Sequence, residues 1–160
     1  MALIRKVVLW DNELFVYDDG HIEKRFRGTT KMHTISQRLV DGYRKIHLKK
    51  QDQKYTTVAV HRIMYLAHNP LWDILNVSTS NLIDHIDNNR TNNNIENLRV
   101  VNSQQNCFNR IAKGYYWVKR DKKWRARIII NYEAIHLGIF DTELEASNAY
   151  QTAKLKYHII

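Results

Sequence analysis

The chain has 160 residues, 44% hydrophobic and 11% aromatic, enough for one ordinary domain or two small ones. Its formal net charge is +9 with a pI near 9.7, and that cationic excess points to a polyanionic partner such as nucleic acid. The composition argues against wholesale disorder, and the single cysteine, Cys107, excludes an intramolecular disulfide framework and a four-cysteine zinc knuckle while fitting a reducing cytosol.

Taken in order, the first 60 residues predict short strands. KVVLW, ELFVY and YRKIHL are rich in β-branched and aromatic residues, and DDGH at 18–21 is a turn signal. The opening MALIRKVVLWDNELFVY has its apolar run broken by Asp11, Asn12 and Glu13, unlike a signal peptide. No window reaches the roughly 18 apolar residues of a membrane span, so the expectation is a soluble cytoplasmic chain with no membrane partner. TVAVHRIMYLAHNP at 57–70 passes from strand alternation into a short helix, with Pro70, the only proline, just beyond its end. Residues 71–82 form a connection without a pattern.

The stretch DHIDNNRTNNNIENLRVVNSQQN, residues 84–106, carries the most information. LIDHI predicts a strand, DNNRTNNN a polar loop and IENLRVV a second strand. Ser103 is then expected to cap a helix running through QQNCFNRIAK. After Gly114, YYWVKR, KWRARIIIN and EAIHLGIF predict three strands. Thr142 with Glu145 makes a capping box for a final helix, whose apolar face is Ala146, Ala149, Tyr150, Ala153 and Tyr157. The expected fold is therefore α+β in two parts, 1–112 and 113–160, the second a small three-stranded antiparallel sheet packed on one helix. Both parts carry a net positive charge.

Cleaving a phosphodiester requires a water made nucleophilic, an acid for the leaving oxygen and compensation for charge on the phosphate. A hard divalent cation supplies the last two when oxygen ligands hold it and coordination positions stay open. Asp84 offers a carboxylate oxygen and Asn106 an amide carbonyl oxygen. His85 carries an imidazole, the side chain suited to moving a proton near neutral pH. A hairpin would bring Asn97 back towards His85, where its amide braces either the loop or the imidazole. A helix N-terminus near Asn106 would favour a phosphate. Neighbours on a regular strand point to opposite faces, so Asp84 and His85 share a site only if the chain bends there. Asn88, Asn89, Asn92, Asn93 and Asn94 read as turn formers, and His61 as a packed or hydrogen-bonded histidine.

These residues resemble the ββα-metal (His-Me finger) core of HNH endonucleases, especially the homing enzymes of phages and group I introns. The matching positions are Asp84-His85, Asn97-Leu98 and Asn106, and VHRIMYLAHNP is similar to the helix that precedes that core. The resemblance implies a core over about 82–112, with Asp84 and Asn106 as metal ligands, His85 as general base and Asn97 as the supporting residue. One divalent ion, magnesium or manganese, is the implied cofactor, and the implied products are a 5′-phosphate and a 3′-hydroxyl. A phage origin would place the protein in the host-cell cytoplasm. The alternative from another class is a DNA-binding regulator with an inactive nuclease core.

GYYWVKRDKKWRARIIINYEAIHLGIFDTELEASNAYQTAKLKYH in turn resembles the DNA-binding domain of plant ethylene-response-factor (APETALA-type) proteins, on the KWRARI, HLGIF and DT-x-x-EA segments. That implies contact with double-stranded DNA through the sheet. Strand alternation predicts Trp124, Ala126, Ile128 and Ile130 facing the helix, with Tyr116, Val118, Ile135 and Leu137. It leaves Trp117, Lys119, Arg125, Arg127 and His136 outward to meet phosphates and base edges. Lys122 and Lys123 are expected to be turn residues or phosphate contacts, and Arg90, Arg99 and Arg110 are candidates to approach the scissile phosphate. A monomer with one site makes nicking the simplest outcome.

Overall fold

The computed structural model describes residues 1–25, 28–109 and 112–159. The chain opens with strands β1 (Leu3–Leu9) and β2 (Asn12–Tyr17), joined at Trp10 and Asp11, whose φ values of 47° and 65° give the two-residue hairpin its twist. The buried Asn12 side chain fixes that turn, donating to the carbonyls of Leu9, Trp10 and Lys49. β3 (Ile22–Arg25) and β4 (Met32–Thr34) complete a four-stranded antiparallel sheet in the order β1-β2-β3-β4. A second antiparallel sheet follows, β5 (Arg38–Val40), β6 (Tyr43–Lys49) and β7 (Tyr55–Ala59).

Helix α1 (Val60–His68) begins where β7 ends. Val60, Ile63, Met64 and Ala67 fall at helical spacing and are all buried, packing with Val7, Leu14, Val16, Ile46 and Leu48 in one core. Fully burying each large side chain of this set is worth about 1.5–3 kcal/mol. The Arg5 guanidinium donates to the Ala67 carbonyl at 2.9 Å, satisfying an orphan group in the last turn of α1. As expected, Pro70 follows the helix end. Residues 71–81, patternless in sequence, are nonetheless organised by polar side chains. Arg62 donates to the carbonyls of Ile74, Asn76 and Asn81, and Asn81 accepts from Trp72 Nε1 at 2.6 Å.

β8 (Leu82–His85) and β9 (Leu98–Val101) form a two-stranded sheet. The expected strand IENLRVV is shorter than its sequence suggests, because Ile95–Asn97 is a 3₁₀ turn. Asn94 starts that turn by accepting from the Glu96 amide at 3.2 Å, which takes the backbone out of the extended form. α2 (Ser103–Phe108) comes next. Its cap is Asn102, not Ser103: Asn102 Oδ1 accepts from the Gln105 amide at 2.8 Å, and Gln105 Oε1 accepts from the Asn102 amide at 3.0 Å. The helix stops at Phe108, shorter than expected; Arg110 and Ile111 lie outside the described residues.

The chain divides into two compact units, Met1–Val100 and Val101–Ile160. In the second, β10 (Tyr115–Val118), β11 (Lys123–Ile130) and β12 (Glu133–Phe140) make an antiparallel sheet, and α3 (Glu143–Tyr157) lies against it. The capping box of Thr142 and Glu145 is present as read from sequence. Ala126, Ile128, Ala146, Tyr150 and Ala153 are buried. Gly114 sits at φ 66°, and a Cβ there would come within 2.1 Å of the Tyr150 ring, so only glycine lets β10 start so close to α3.

The pairing register corrects one expectation. Opposite residues on antiparallel strands share a face, and Tyr115 stands opposite Ala126, Tyr116 opposite Arg125 and Trp117 opposite Trp124. Tyr116 and Val118 therefore lie on the outer face, while Trp117 lies on the helix side, its ring 5.5 Å from that of Trp124. The reason is Tyr115, which fills the space beside Ile128, Tyr150 and Ala153 and fixes the alternation of the strand. Lys119 is beyond the end of β10, in the turn.

Candidate functional site

β8 ends on Asp84 and His85, and both are buried, at 8% and 4% exposure. The strand stops at His85, whose carbonyl accepts from the Asn88 amide at 2.9 Å, and Asn88 takes a φ of 60°. The two side chains reach different partners. Asp84 Oδ2 accepts from Arg99 Nε at 3.0 Å and Nη2 at 2.8 Å. His85 Nε2 lies 3.1 Å from Asn93 Oδ1, and its ring is 5.0 Å from His61, nearly perpendicular, and 5.9 Å from Tyr43. Arg90 covers Tyr43, its guanidinium 4.9 Å from that ring, and donates to the Asp41 carbonyl.

Asn97 holds the loop rather than the imidazole. Its Oδ1 accepts from the Asp87 amide at 3.0 Å, and its Nδ2 donates to Asp87 Oδ1 and to the Asn92 carbonyl, both at 2.9 Å. Asp87 also accepts from Asn92 Nδ2 at 2.7 Å and from the Asn89 amide at 2.8 Å. The Asn92 donor first, then the Asn89 amide and Asn97, hold the Asp87 carboxyl below its ordinary range. Asn89, Asn92 and Asn94 each accept from a backbone amide two residues on, which is why the loop carries so many asparagines. Asn93 differs, since its side chain turns to His85.

His61 is a packed histidine, as expected, but what it packs against is His85. Burial, then the neighbouring His85, Arg62 and Lys45, push its pKa down to about 3. Its Nδ1 has no hydrogen-bond partner among the described residues. Sequence reasoning did not place Tyr43 or Asn93 at the site, and Arg90, expected near the scissile phosphate, lies over the Tyr43 ring. A histidine on the helix before an Asp-His strand was the one signal available, and the asparagine run hid Asn93 among its neighbours.

As donors for a divalent cation, Asp84 and Asn106 fit in kind, since both offer the hard oxygens that magnesium or manganese takes. Among the described residues no group of three or more His, Cys, Asp or Glu gathers. Asn106 is on α2, in the second unit. Arg99, expected near a phosphate, is engaged by Asp84, and Arg110 lies outside the described residues.

On the outer face of the second unit's sheet, Arg127 stands opposite His136 and over the Tyr116 ring, 5.6 Å from its centroid. Arg125 donates to Asp121 at 2.6 Å, and Lys123 pairs with Asp141. Ile129 and Ile139 are exposed on the same face.

Residues 58–107 match the family described as HNH endonuclease. That span includes α1, β8, β9 and most of α2, and with them Asp84, His85, Asn97 and Asn106. No curated protein and no solved structure matches the chain.

Proposed function

We propose that this chain uses its HNH endonuclease domain, at residues 58–107, to hydrolyse phosphodiester bonds of double-stranded DNA, as a homing enzyme of the phage or group I intron type. The observation that carries the reading is that the family match encloses Asp84 and His85 where β8 ends, with His85 held among Asn93, His61 and Tyr43.

In this reading His85 accepts a proton from water as the water oxygen bonds to phosphorus in line with the departing 3′-oxygen. The bond from phosphorus to that oxygen breaks, leaving a 5′-phosphate and, after protonation by solvent, a 3′-hydroxyl. Asp84 and Asn106 would hold a divalent cation, which supplies charge compensation for the phosphate and the leaving oxygen. The second oxygen donor, Asn106, is assigned on the resemblance of the sequence. Asn97 keeps the loop after His85 in shape through Asp87 and Asn92.

The second unit would bring duplex DNA to that site, in the manner of the ethylene-response-factor domains it resembles. Arg127, His136, Arg125 and Tyr116 form the outer face that would meet the major groove, with Lys119 and Lys123 at phosphates. Trp117 is on the other side of the sheet and is left out of this set.

Incubating supercoiled plasmid with the full chain in magnesium, in manganese and in chelator tests the proposal. Metal-dependent nicked or linear product with 5′-phosphate ends is expected. Binding without cleavage in every metal would point instead to a DNA-binding regulator built on an inactive nuclease core.

A further inference from the structure

The outer face of the second unit's sheet holds two aliphatic side chains that its core does not use. Ile129 and Ile139 are exposed, at 55% and 53%, while Ile128, Leu137, Tyr150 and Ala153 pack together on the opposite side. Ile139 owes its place to a bulge. Ala126 stands opposite Gly138 but Arg127 opposite His136, so Leu137 is an extra residue, and His136 and Ile139 come to share one face. Gly138 takes a φ of 142° there, and a Cβ on it would meet the Phe140 ring at 2.8 Å. Along β11 the face therefore reads Ile129, Arg127 and Arg125, with Ala134, His136 and Ile139 opposite them on β12.

Each arginine thus has an isoleucine beside it. Residues two apart on a strand are about 6.7 Å from one another, close to two base-pair steps of about 3.4 Å. In the major groove thymine presents a C5 methyl group, which apolar side chains read, while arginine reads guanine. The charge of the face selects the partner. Arg127 lies over the Tyr116 ring and in no ion pair among the described residues. The carboxylates at the margin, Asp121 and Asp141, are engaged by Arg125 and Lys123. An apolar protein surface would desolvate these cations without a counter-charge, and a second copy of the chain would bring like charges together. A duplex meets them with phosphates and guanine edges.

We propose that Ile129 and Ile139 read thymine methyl groups in the major groove, beside the groups met by Arg127 and Arg125, so that the preferred target carries thymine at these steps. The proposal rests on reading the second unit as the part that contacts DNA. Isoleucine is branched at Cβ and stiff at χ1, so little side-chain freedom is lost when it closes on a methyl group. Taking one such group out of water changes affinity by about fourfold.

In the test, random duplexes are selected for binding to the full chain in chelator. The enriched sequence is then made with thymine or with deoxyuridine, which pairs identically but lacks the C5 methyl. The wild type is expected to bind the thymine duplex about tenfold tighter or more. In Ile129→Ser and in Ile139→Ser the ratio is expected to fall to about fourfold, and in the double variant to about one. Ile129→Val keeps a branched apolar tip and is expected to keep the preference. Equal affinity of the wild type for both duplexes would overturn the proposal while leaving DNA binding intact, and this comparison needs no variant to fold. Folded serine variants with the wild-type ratio would overturn it too. Enrichment of no duplex would overturn the DNA reading of the unit and the proposal with it. Dimers that Ile129→Ser dissociates, without a thymine preference, would assign the face to a second copy of the chain instead.

Discussion

Arg99 grips Asp84 with two nitrogens on one carboxylate oxygen, Nε at 3.0 Å and Nη2 at 2.8 Å, beneath a surface that leaves Asp84 only 8% exposed. A carboxylate this far from water needs a charged partner, and removing that partner costs more than the pair contributes when intact. Arg99→Ala is therefore expected to destabilise the protein by about 1.5–3 kcal/mol, read as a lower urea midpoint at unchanged m-value. In Asp84→Asn, where no charge is stranded, the same Arg99 substitution should cost clearly less. Equal costs in both backgrounds would mean that the pair is not coupled.

The ring set around His85 has a signature in acid. His61 titrates near its ordinary 6.5 in the unfolded chain and at about 3 in the folded one. Between those values unfolding takes up a proton, so stability is fully present above 6.5 and declines as the pH falls towards 3, by at most about 1.4 kcal/mol per pH unit. His61→Phe keeps an aromatic wall and removes the titration. Denaturant unfolding of both proteins across this window should show a shallower acid slope for the variant. Parallel slopes would show that His61 is not the group responsible.

Much of this was legible in the sequence. Alternation and turn residues located β1, β2, β6, β8, β9 and the three strands of the second unit. They missed β3, β4 and β5, which are only three or four residues long. α1 was read from the end of strand alternation before Pro70, and the capping box at Thr142 predicted the start of α3 correctly. What failed was decided by contacts distant in sequence or by competition between adjacent polar side chains. Asn102 won the cap of α2 over Ser103 because Gln105 reciprocates its bond. Trp117 and Tyr116 exchanged faces because Tyr115, not its neighbours, fits against Tyr150. At the site, Asp84, His85 and Asn97 were singled out by their types, but Asn93 and Tyr43 could not be, since an asparagine among asparagines and a tyrosine some forty residues upstream carry no local mark.

The exchanged faces lead to a separation of effects. Arg127→Ala should weaken DNA binding and reduce the salt dependence of the affinity by about one unit of slope if the arginine meets a phosphate, or relax sequence preference if it meets a base. Trp117→Ala, which removes a ring from the Trp124 side, should lower stability and leave the salt slope unchanged. Titrations of labelled duplex at several salt concentrations compare them. A larger change in DNA affinity for Trp117→Ala than for Arg127→Ala would put the outer face on the other side of the sheet.

Gly114 offers a stability test confined to the second unit. Alanine there must hold φ at 66° and place its Cβ within 2.1 Å of the Tyr150 ring. A left-handed backbone and a forced shift of a buried ring together should cost at least about 2 kcal/mol, visible as a lower unfolding midpoint. Gly20, also at positive φ but with open space around it, should lose much less on the same change.

The most direct measurement is cleavage by His85→Ala beside the wild type, on the same plasmid, with binding of the same DNA recorded in parallel. The account predicts that the variant loses cleavage by at least about a hundredfold while its affinity for duplex DNA stays close to that of the wild type. Cleavage at the wild-type rate by a variant without this imidazole would contradict it.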